Sequence, residues 1–200
     1  MGQYYKPVII CQDGSVFTAN SHDYDNGIKI MEHSWVGNNF VNAVLGMMED
    51  KPARLAWIGD YADSVVADEC DLGGGFITSR DRFMEYYHGV WGESGETTPR
   101  ISKDTKPFLL DGEHADCFVV NKTKECYIDM EHYDKENDIK GWCVNPVPLL
   151  TSIGNGQGGG DYYSEIGADD VGSWAFDEIY VTALRPASPM YEKEYHFREE

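Results

Sequence analysis

Two aspartates stand three residues apart in the segment Trp57-Ile-Gly-Asp-Tyr-Ala-Asp63, at the end of a run typical of a buried strand. Carboxylates at a strand end are held rigidly and often face a cleft. Such a pair binds Mg²⁺ or Ca²⁺, or divides into a general acid and a general base when mutual repulsion raises one pKa. Asp60 and Asp63 are therefore candidate catalytic and metal-binding residues. The alternative is that both cap turns.

A glycine-rich stretch, Thr151-Ser-Ile-Gly-Asn-Gly-Gln-Gly-Gly-Gly-Asp161, is the second candidate. It matches G-x-G-x-x-G, but a dinucleotide-binding loop needs a strand before it and a helix after it, and these flanks favour neither. A Walker loop is excluded because no Gly-Lys-Ser/Thr follows. The run can still form a nest of backbone N–H groups that binds an anion, or an irregular loop that passes close to other segments. If the run forms this anion-binding nest, its ligand-binding residues are Asn155, Gly156, Gly158, Gly159 and Asp161. Asp161 is then also a candidate third metal ligand beside Asp60 and Asp63.

His33 is the third candidate, within Glu32-His-Ser-Trp35. Imidazole titrates near neutrality, so His33 is a candidate catalytic base or ligand. A single histidine between apolar neighbours also fits a hydrogen-bonded structural residue. Spacing alone establishes no Ser-His-Asp or Cys-His pairing, because triads are recognised by geometry.

The elements that must position these residues begin with a helix from Asn38 to Asp50. Asn38 or Asn39 caps it, and Lys51-Pro52 ends it. Its apolar residues fall on one face, as a helix packed on a core requires. These residues are Phe40, Val41, Val44, Leu45 and Met48.

Strands account for most of the other predicted elements. Their ranges, with the turn or loop signals between them, predict two hairpins, one buried strand and two further extended segments. The ranges are Gln3–Ile10 with Val16–Thr18, Ala115–Val120 with Cys126–Asp129, Arg54–Tyr61, Trp142–Leu150 and Val171–Ala183. Shorter helical segments are predicted at Ile28–Ser34 and Arg80–His88, and a surface loop at 91–106. Together, these elements predict an α+β fold in a single domain over residues 1–200, with a mainly antiparallel sheet, one principal helix and long loops.

Charge is the most unusual bulk property, with 16 basic and 35 acidic residues and a net charge of −19. The excess is spread over both halves of the chain. Such a surface repels nucleic acid and anionic membranes, so direct binding to either is not expected. It favours solubility, and it can attract a basic protein partner.

Cysteines and the N-terminus indicate the compartment. The five cysteines are an odd number without a C-x-x-C pair, which favours free thiols over a zinc ribbon or a disulfide framework. The start, MGQYYKPVIICQ, lacks the features of a signal peptide, and no apolar run is long enough for a membrane helix. We therefore expect a cytoplasmic protein.

Five segments of the chain are distinctive when taken together. They are MGQYYK, KIMEHSWVGNNFVNAV, RLAWIGDYAD, NPVPLLTSIGNGQGGGDY and VGSWAFDEI. In combination they resemble a family of uncharacterised bacterial and phage proteins. The resemblance covers most of the chain apart from 91–106 and the C-terminal tail. It implies no activity, fold or ligand, so no catalytic residue is carried over. Gln157 stands where the family has arginine, and glutamine would hold a phosphate less strongly because it carries no charge.

Two functional hypotheses follow, and the sequence assigns no reaction to the chain. In the first, the glycine loop, Asp60, Asp63 and His33 converge on one site that binds a nucleotide-like or phosphoester ligand, with a divalent cation for metal-assisted hydrolysis. In the second, the protein is an acidic inhibitor that docks on a basic nucleic-acid-binding enzyme, as a phage counter-defence protein would. The segment that favours this second hypothesis is the acidic run Asp129, Glu131, Asp134, Glu136 and Asp138, which a solvated loop explains equally well.

Overall fold

The computed structural model describes residues 3–62, 87–88, 90–91, 96–97, 100–101, 117–138, 141–154, 162 and 166–197. The strands are β1 (Tyr5–Cys11), β2 (Val16–Thr18), β3 (Ala53–Gly59), β4 (Val90–Trp91), β5 (Glu96–Thr97), β6 (Phe118–Asn121), β7 (Cys126–Asp129), β8 (Ser152–Ile153), β9 (Glu178–Thr182) and β10 (Tyr191–Glu192). The helices are α1 (Asn39–Gly46), α2 (Met130–Asn137) and α3 (Pro146–Leu150), with 3-10 turns at Ser21–Tyr24, Ile30–Glu32 and Ala168–Asp170. The predicted α+β class is confirmed.

One mixed sheet of eight strands runs in the order β10-β7-β6-β9-β3-β1-β2, with β8 beside β3. All its pairs are antiparallel except β10 with β7 and β8 with β3. Strand β3 is the organising element because both of its edges are used. One edge pairs with β1 along its whole length, and the other pairs with β9 at Ala53 and Arg54 and with β8 at Trp57 and Ile58.

The continuous apolar runs of β1 and β3 are explained by burial on both faces. On one face Ile9, Leu55 and Trp57 join the main core with α1 and α3, while on the other Val8 and Ile58 join a second cluster. Alternate side chains of a strand point to opposite faces, so a strand that is covered on both sides reads as an apolar run. This arrangement holds the carboxyl end of β3, which carries Asp60, in a rigid frame.

Side-chain caps fix where the helices begin. The Asn38 side chain accepts hydrogen bonds from the amides of Phe40 and Val41, which confirms the predicted start of α1. Asp129 accepts from the amide of His132 at the start of α2. These bonds satisfy amides that have no partner within the helix.

Several predicted elements differ from the structure. The principal helix, predicted for 38–50, ends at Gly46, because the chain turns at 47–50 before it reaches Lys51-Pro52. The segment 142–150 was predicted to be extended, but 146–150 forms α3, with the Asn145 side chain accepting from the amide of Val147. Proline is tolerated in the first turn of a helix, so Pro146 and Pro148 begin this helix rather than interrupt a strand. The predicted strand 171–183 narrows to β9, since 171–176 forms turns. The acidic run 129–138, for which a solvated loop was the alternative, is mostly the helix α2.

The segments around the predicted surface loop are described only in part. Within 91–106, the edge of β4 pairs with β5, so part of this segment is a two-stranded ribbon. Most of the predicted helix Arg80–His88 lies outside the described residues.

Four cysteines, Cys11, Cys117, Cys126 and Cys143, are free thiols, and Cys70 lies outside the described part. Within the described ranges, none of the helices has the length and apolarity needed to cross a membrane.

Candidate functional site

The two segments that carry the candidate site leave the sheet side by side. Strands β3 and β8 are parallel, with Trp57 opposite Ser152 and Ile58 opposite Ile153. Strand β3 ends in Gly59, and β8 is followed at once by Gly154. Ligand sites commonly open outside the carboxyl ends of parallel strands, where chains diverge. The start of the Asp60 segment and the start of the glycine-rich stretch are therefore neighbours.

Close packing explains these first two glycines. A Cβ at Gly59 would lie 2.5 Å from Oε1 of Gln3, and a Cβ at Gly154 would lie 2.6 Å from the same atom and against the Tyr5 hydroxyl. Gln3 is fully buried and Tyr5 is 4% exposed. A side chain at Gly59 or Gly154 would have to displace the buried Gln3 side chain, and at Gly154 the Tyr5 ring as well, so glycine fits the close packing against these two residues.

Asp60 is joined to the N-terminal end of β1. The amide of Tyr4 donates to Oδ1 of Asp60 over 3.0 Å, and the amide of Asp60 donates to the carbonyl of Tyr4 over 3.0 Å. Asp60 thus extends the β1–β3 pairing through its side chain. The negative charge of Asp60 also affects Tyr87. Burial, as the larger cause, and the Asp60 charge, as the next, raise the pKa of the Tyr87 phenol to about 12.

His33 is fully buried beside Trp57 of β3. Its Nε2 accepts a hydrogen bond from Nε1 of Trp57 over 3.0 Å, and its Nδ1 lies 3.1 Å from the carbonyl oxygen of Gly27. Burial lowers the pKa of His33 to about 4, against smaller raising effects of the Gly27 carbonyl and the Glu32 carboxylate. The ring is neutral near pH 7 and both nitrogens are engaged. This geometry matches the structural alternative for His33, and its catalytic role stays a prediction.

The remaining predicted site residues lie outside the described part of the chain. They are Asp63, Asn155, Gly156, Gly158, Gly159 and Asp161. Their convergence with Asp60, the anion-binding nest and the three-aspartate metal site therefore stay predictions. Among the residues that the structure describes, no group of three histidines, cysteines or carboxylates is placed to hold a metal ion.

A cleft of about 360 Å³ opens where β8 ends. Its described lining is mainly apolar and aromatic, and it contains no charged side chain. The lining residues are Tyr5, Ile30, Leu149, Ser152, Ile153, Gly154, Tyr162, Ala168, Val171 and Gly172. Among the described lining residues, Ser152 alone has an aliphatic hydroxyl, and its Oγ donates to the carbonyl of Leu149 over 3.0 Å.

The turn 166–172 forms one wall of this cleft and is held against β8 and α3. The amide of Gly172 donates to the carbonyl of Leu149 over 2.9 Å, and a Cβ at Gly172 would lie 2.7 Å from the carbonyl oxygen of Ser152. Tyr162 donates from its hydroxyl to the carbonyl of Ile166 over 2.7 Å. Its ring packs edge-on against Phe197, with 5.6 Å between the centroids, so the C-terminal segment supports this wall.

Sequence reasoning missed most of the cleft residues. Tyr162 directly follows the glycine-rich stretch, but its place with Tyr5 and Val171 in the cleft lining depends on pairings between distant parts of the chain. The segment around Val171 and Gly172 has the composition of a strand, which concealed its turns. The sequence did contain one signal for the turns in this wall, the glycines at 167 and 172. Both adopt a positive φ, which glycine does more readily than other residues.

The fold and cleft define an α+β protein with a ligand-sized cleft at the end of a parallel strand pair. The chain matches no protein-family model, no curated protein and no solved structure. The resemblance to bacterial and phage proteins accordingly stays a prediction.

Proposed function

We propose that the protein binds a small, uncharged or cationic organic molecule in the cleft beyond β8. The observation that carries this proposal is the cleft itself, about 360 Å³ in volume and bounded by Tyr5, Gly154 and Val171. Small-molecule sites have volumes of roughly 300–1,000 Å³ and are lined by apolar and aromatic side chains with a few polar groups.

The chemistry of the lining favours an apolar body over a phosphate. The described lining residues carry no charge, and the chain as a whole carries −19. A phosphoester would meet a repulsive field without a described cation to offset it. Apolar surface instead gains about 25 cal/mol for each Å² that leaves water. The sequence suggested a nucleotide-like or phosphoester ligand, but a nucleoside, which lacks the phosphate, fits this lining better than a nucleotide.

Binding rather than catalysis is the function that the described residues support. Among the described residues, the cleft lining contains no histidine, cysteine, lysine or carboxylate, the groups that most often act as general base or nucleophile. The hydrolase hypothesis depends on Asp60 together with Asp63 and Asp161, and it stays a separate prediction.

The test uses a neutral fluorescent probe, N-phenyl-1-naphthylamine, which brightens in apolar sites. The wild type is compared with Val171→Phe, which fills the cleft, and with Val36→Phe, which makes the same change at a half-buried residue outside the lining. We expect saturable binding to the wild type and to Val36→Phe, and an affinity at least about tenfold lower for Val171→Phe. Thermal melts of all three proteins confirm that they are folded.

Competition then defines the ligand class. Nucleosides and neutral aromatic compounds should displace the probe at lower concentrations than the corresponding monophosphates. Equal probe binding by the wild type and Val171→Phe would contradict the proposed site. Stronger displacement by monophosphates would contradict the proposed ligand chemistry and favour the phosphoester hypothesis.

A further inference from the structure

The C-terminal segment 193–197 runs from the edge of the sheet to the wall of the cleft at β8. It follows β10, the edge strand that pairs with β7. The carbonyl of Tyr195 accepts a hydrogen bond from Nδ2 of Asn137 over 3.1 Å. The side chains of Tyr195 and Phe197 are at most 2% exposed and belong to the main core. The segment is therefore anchored in the core where it meets the cleft wall.

A row of aromatic rings connects this segment to the helix below the cleft. Nε1 of Trp174 donates to the hydroxyl of Tyr195 over 2.6 Å, and the centroids of these two rings are 5.6 Å apart. Tyr195 in turn stacks on Phe197, with 6.3 Å between the centroids and 8° between the ring planes. The amide of Trp174 donates to the carbonyl of Leu150 over 2.7 Å, at the end of α3. Phe197 is thus fixed to the same helix that contributes Leu149 to the cleft lining.

The ring of Phe197 lies directly behind the turn 166–172 that forms the cleft wall. A Cβ at Gly167 would lie 2.8 Å from Cδ1 of Phe197, and it would also collide with the carbonyl oxygen of His196. Ala168, the next residue of the turn, lines the cleft. The turn and the C-terminal segment are therefore in close contact, with the turn between Phe197 and the cleft.

Tyr162 is the lining residue that Phe197 contacts through its ring. Phe197 is not among the described lining residues, whereas Tyr162 is one of them. The two rings pack edge-on, with 5.6 Å between the centroids and 84° between the planes. Edge-on aromatic pairs are held by their geometry as well as by the area that they bury. The hydroxyl of Tyr162 donates to the carbonyl of Ile166 over 2.7 Å, so the ring is held both from behind and within the wall.

We propose that Phe197 is a positioning residue for ligand binding, which holds the Tyr162 ring in the lining of the cleft and so sets the affinity of the site. The inference rests on the proposed function, the binding of a small organic molecule beyond β8. A lining ring that is already ordered loses little entropy when a ligand packs against it, whereas a ring without this support must be ordered by the ligand. By linkage, a ligand that contacts Tyr162 should also stabilise the docked position of Phe197.

The first test compares the binding of N-phenyl-1-naphthylamine by the wild type, Phe197→Leu and Phe118→Leu. Leucine keeps each position apolar but removes the ring. Phe118 is the matched control, because it is buried in a separate cluster and packs edge-on against Tyr127 at 5.7 Å and 81°. We expect Phe197→Leu to bind the probe about fivefold more weakly, and Phe118→Leu to stay within about twofold of the wild type. Thermal melts establish that each variant is folded at the temperature of the binding measurement.

A double-mutant cycle with Tyr162→Leu separates positioning from a general loosening of the core. If Phe197 acts through Tyr162, Phe197→Leu should change the affinity by less than about twofold when residue 162 is already leucine. A general loosening would lower the affinity by the same factor in both backgrounds.

Hydrogen exchange of the wild type supplies a measurement that needs no variant. We expect saturating probe to slow the exchange of the backbone amides of 193–197, because ligand binding and the docking of this segment are linked. Unchanged exchange at saturation would overturn the proposal.

The binding results distinguish a failure of this inference from a failure of the proposed function. Equal affinities of the wild type and Phe197→Leu, with weaker binding by Val171→Phe, would overturn the role of Phe197 and leave the cleft as the ligand site. Equal weakening by Phe197→Leu and Phe118→Leu, or an undiminished effect of Phe197→Leu in the Tyr162→Leu background, would overturn it as well. Unchanged binding by Val171→Phe, or no binding by the wild type, would instead contradict the cleft as the site and with it this inference.

Discussion

Nε1 of Trp57 donates a hydrogen bond to Nε2 of His33 over 3.0 Å, and this bond fixes the tautomer of the histidine. Indole nitrogen is only a donor, so Nε2 of the imidazole is the acceptor and the proton resides on Nδ1. Nδ1 then donates to the Gly27 carbonyl 3.1 Å away. The neutral ring joins strand β3 to the loop before α1, and a second proton on it would remove the acceptor that Trp57 uses.

Stability should therefore fall as His33 is forced to take up a proton. Its pKa is about 4 in the folded chain and about 6.5 when unfolded, so the unfolded chain binds the proton more readily. The His33 contribution is fully present above about pH 6.5 and is lost as pH falls towards 4, up to roughly 3 kcal/mol in all. Urea unfolding at a series of pH values measures this loss.

The matched variant for this pH dependence is His33→Gln. Glutamine can accept from Trp57 and donate to Gly27, but it does not titrate. We expect it to show a shallower loss of unfolding free energy between pH 6.5 and about 4 than the wild type, once the shared carboxylate effects are subtracted. Equal pH slopes for the two proteins would contradict the assignment of a neutral, buried His33.

The role of His33 shows where sequence reasoning stops at this site. The residue type and its apolar neighbours predict either a catalytic base or a buried hydrogen-bonded residue. The choice depends on Trp57, which is 24 positions away and meets His33 only through the fold. The neighbouring glycines are similar: Gly59 and Gly154 are conspicuous in the sequence, but the need for them comes from Gln3 and Tyr5.

Asp60 should tolerate the loss of its charge better than the loss of its oxygen atoms. Asp60→Asn retains an oxygen to accept from the amide of Tyr4, and we expect its free energy of unfolding to lie within about 0.5 kcal/mol of the wild type. Asp60→Ala removes the acceptor of this exposed hydrogen bond and should cost about 1 kcal/mol, the net contribution of a typical intramolecular hydrogen bond. Urea denaturation of the three proteins gives these differences.

The same pair of variants tests a divalent-cation site at Asp60. If Asp60 holds a cation with Asp63 and Asp161, Mn²⁺ raises the Tm of the wild type and has a smaller effect on Asp60→Asn, because an amide binds hard cations less strongly than a carboxylate does. An unchanged Tm of the wild type with Mn²⁺, Mg²⁺ and Ca²⁺ would contradict the metal-site hypothesis. A comparable rise in both proteins would place the cation elsewhere.

Gly172→Ala should be more destabilising than Gly14→Ala, although both glycines have positive φ. The backbone angles are nearly equal, φ +79° at Gly172 and φ +84° at Gly14, so both substitutions carry a strain of about 1–2 kcal/mol. A Cβ at Gly14 meets nothing within 4 Å, whereas at Gly172 it lies 2.7 Å from the Ser152 carbonyl oxygen. In thermal unfolding, we expect Gly172→Ala to lose about 1 kcal/mol more stability than Gly14→Ala, so that its total loss is about twice that of Gly14→Ala. Equal losses would mean that the backbone at Gly172 and Ser152 can move apart without a measurable cost in stability.

Local signals predicted the elements that are encoded locally. Helix α1 and its Asn38 cap, and the β6–β7 hairpin, follow from apolar spacing, a capping side chain and a polar turn. Helix α2 had such a signal too, since Met130, Tyr133 and Asn137 are buried at helical spacing within the acidic run. Strands β8 and β10 are each two residues long and pair in parallel with strands that are distant in sequence. No local sequence pattern therefore predicts them. The cleft depends on β8, and the sequence could not locate it for that reason.

The C-terminal segment should depend on one buried hydrogen bond, from Nε1 of Trp174 to the hydroxyl of Tyr195 over 2.6 Å. Both side chains are at most 2% exposed, and burial raises the pKa of the Tyr195 phenol well above its ordinary range, so it remains protonated. Tyr195→Phe would leave the indole N–H buried without an acceptor, at a cost of about 1–3 kcal/mol in unfolding free energy. Tyr191→Phe, at a residue that is 56% exposed, is the control and should change stability by less than about 0.5 kcal/mol. Similar stabilities of the two variants in urea would show that the Trp174–Tyr195 bond contributes little to holding this segment.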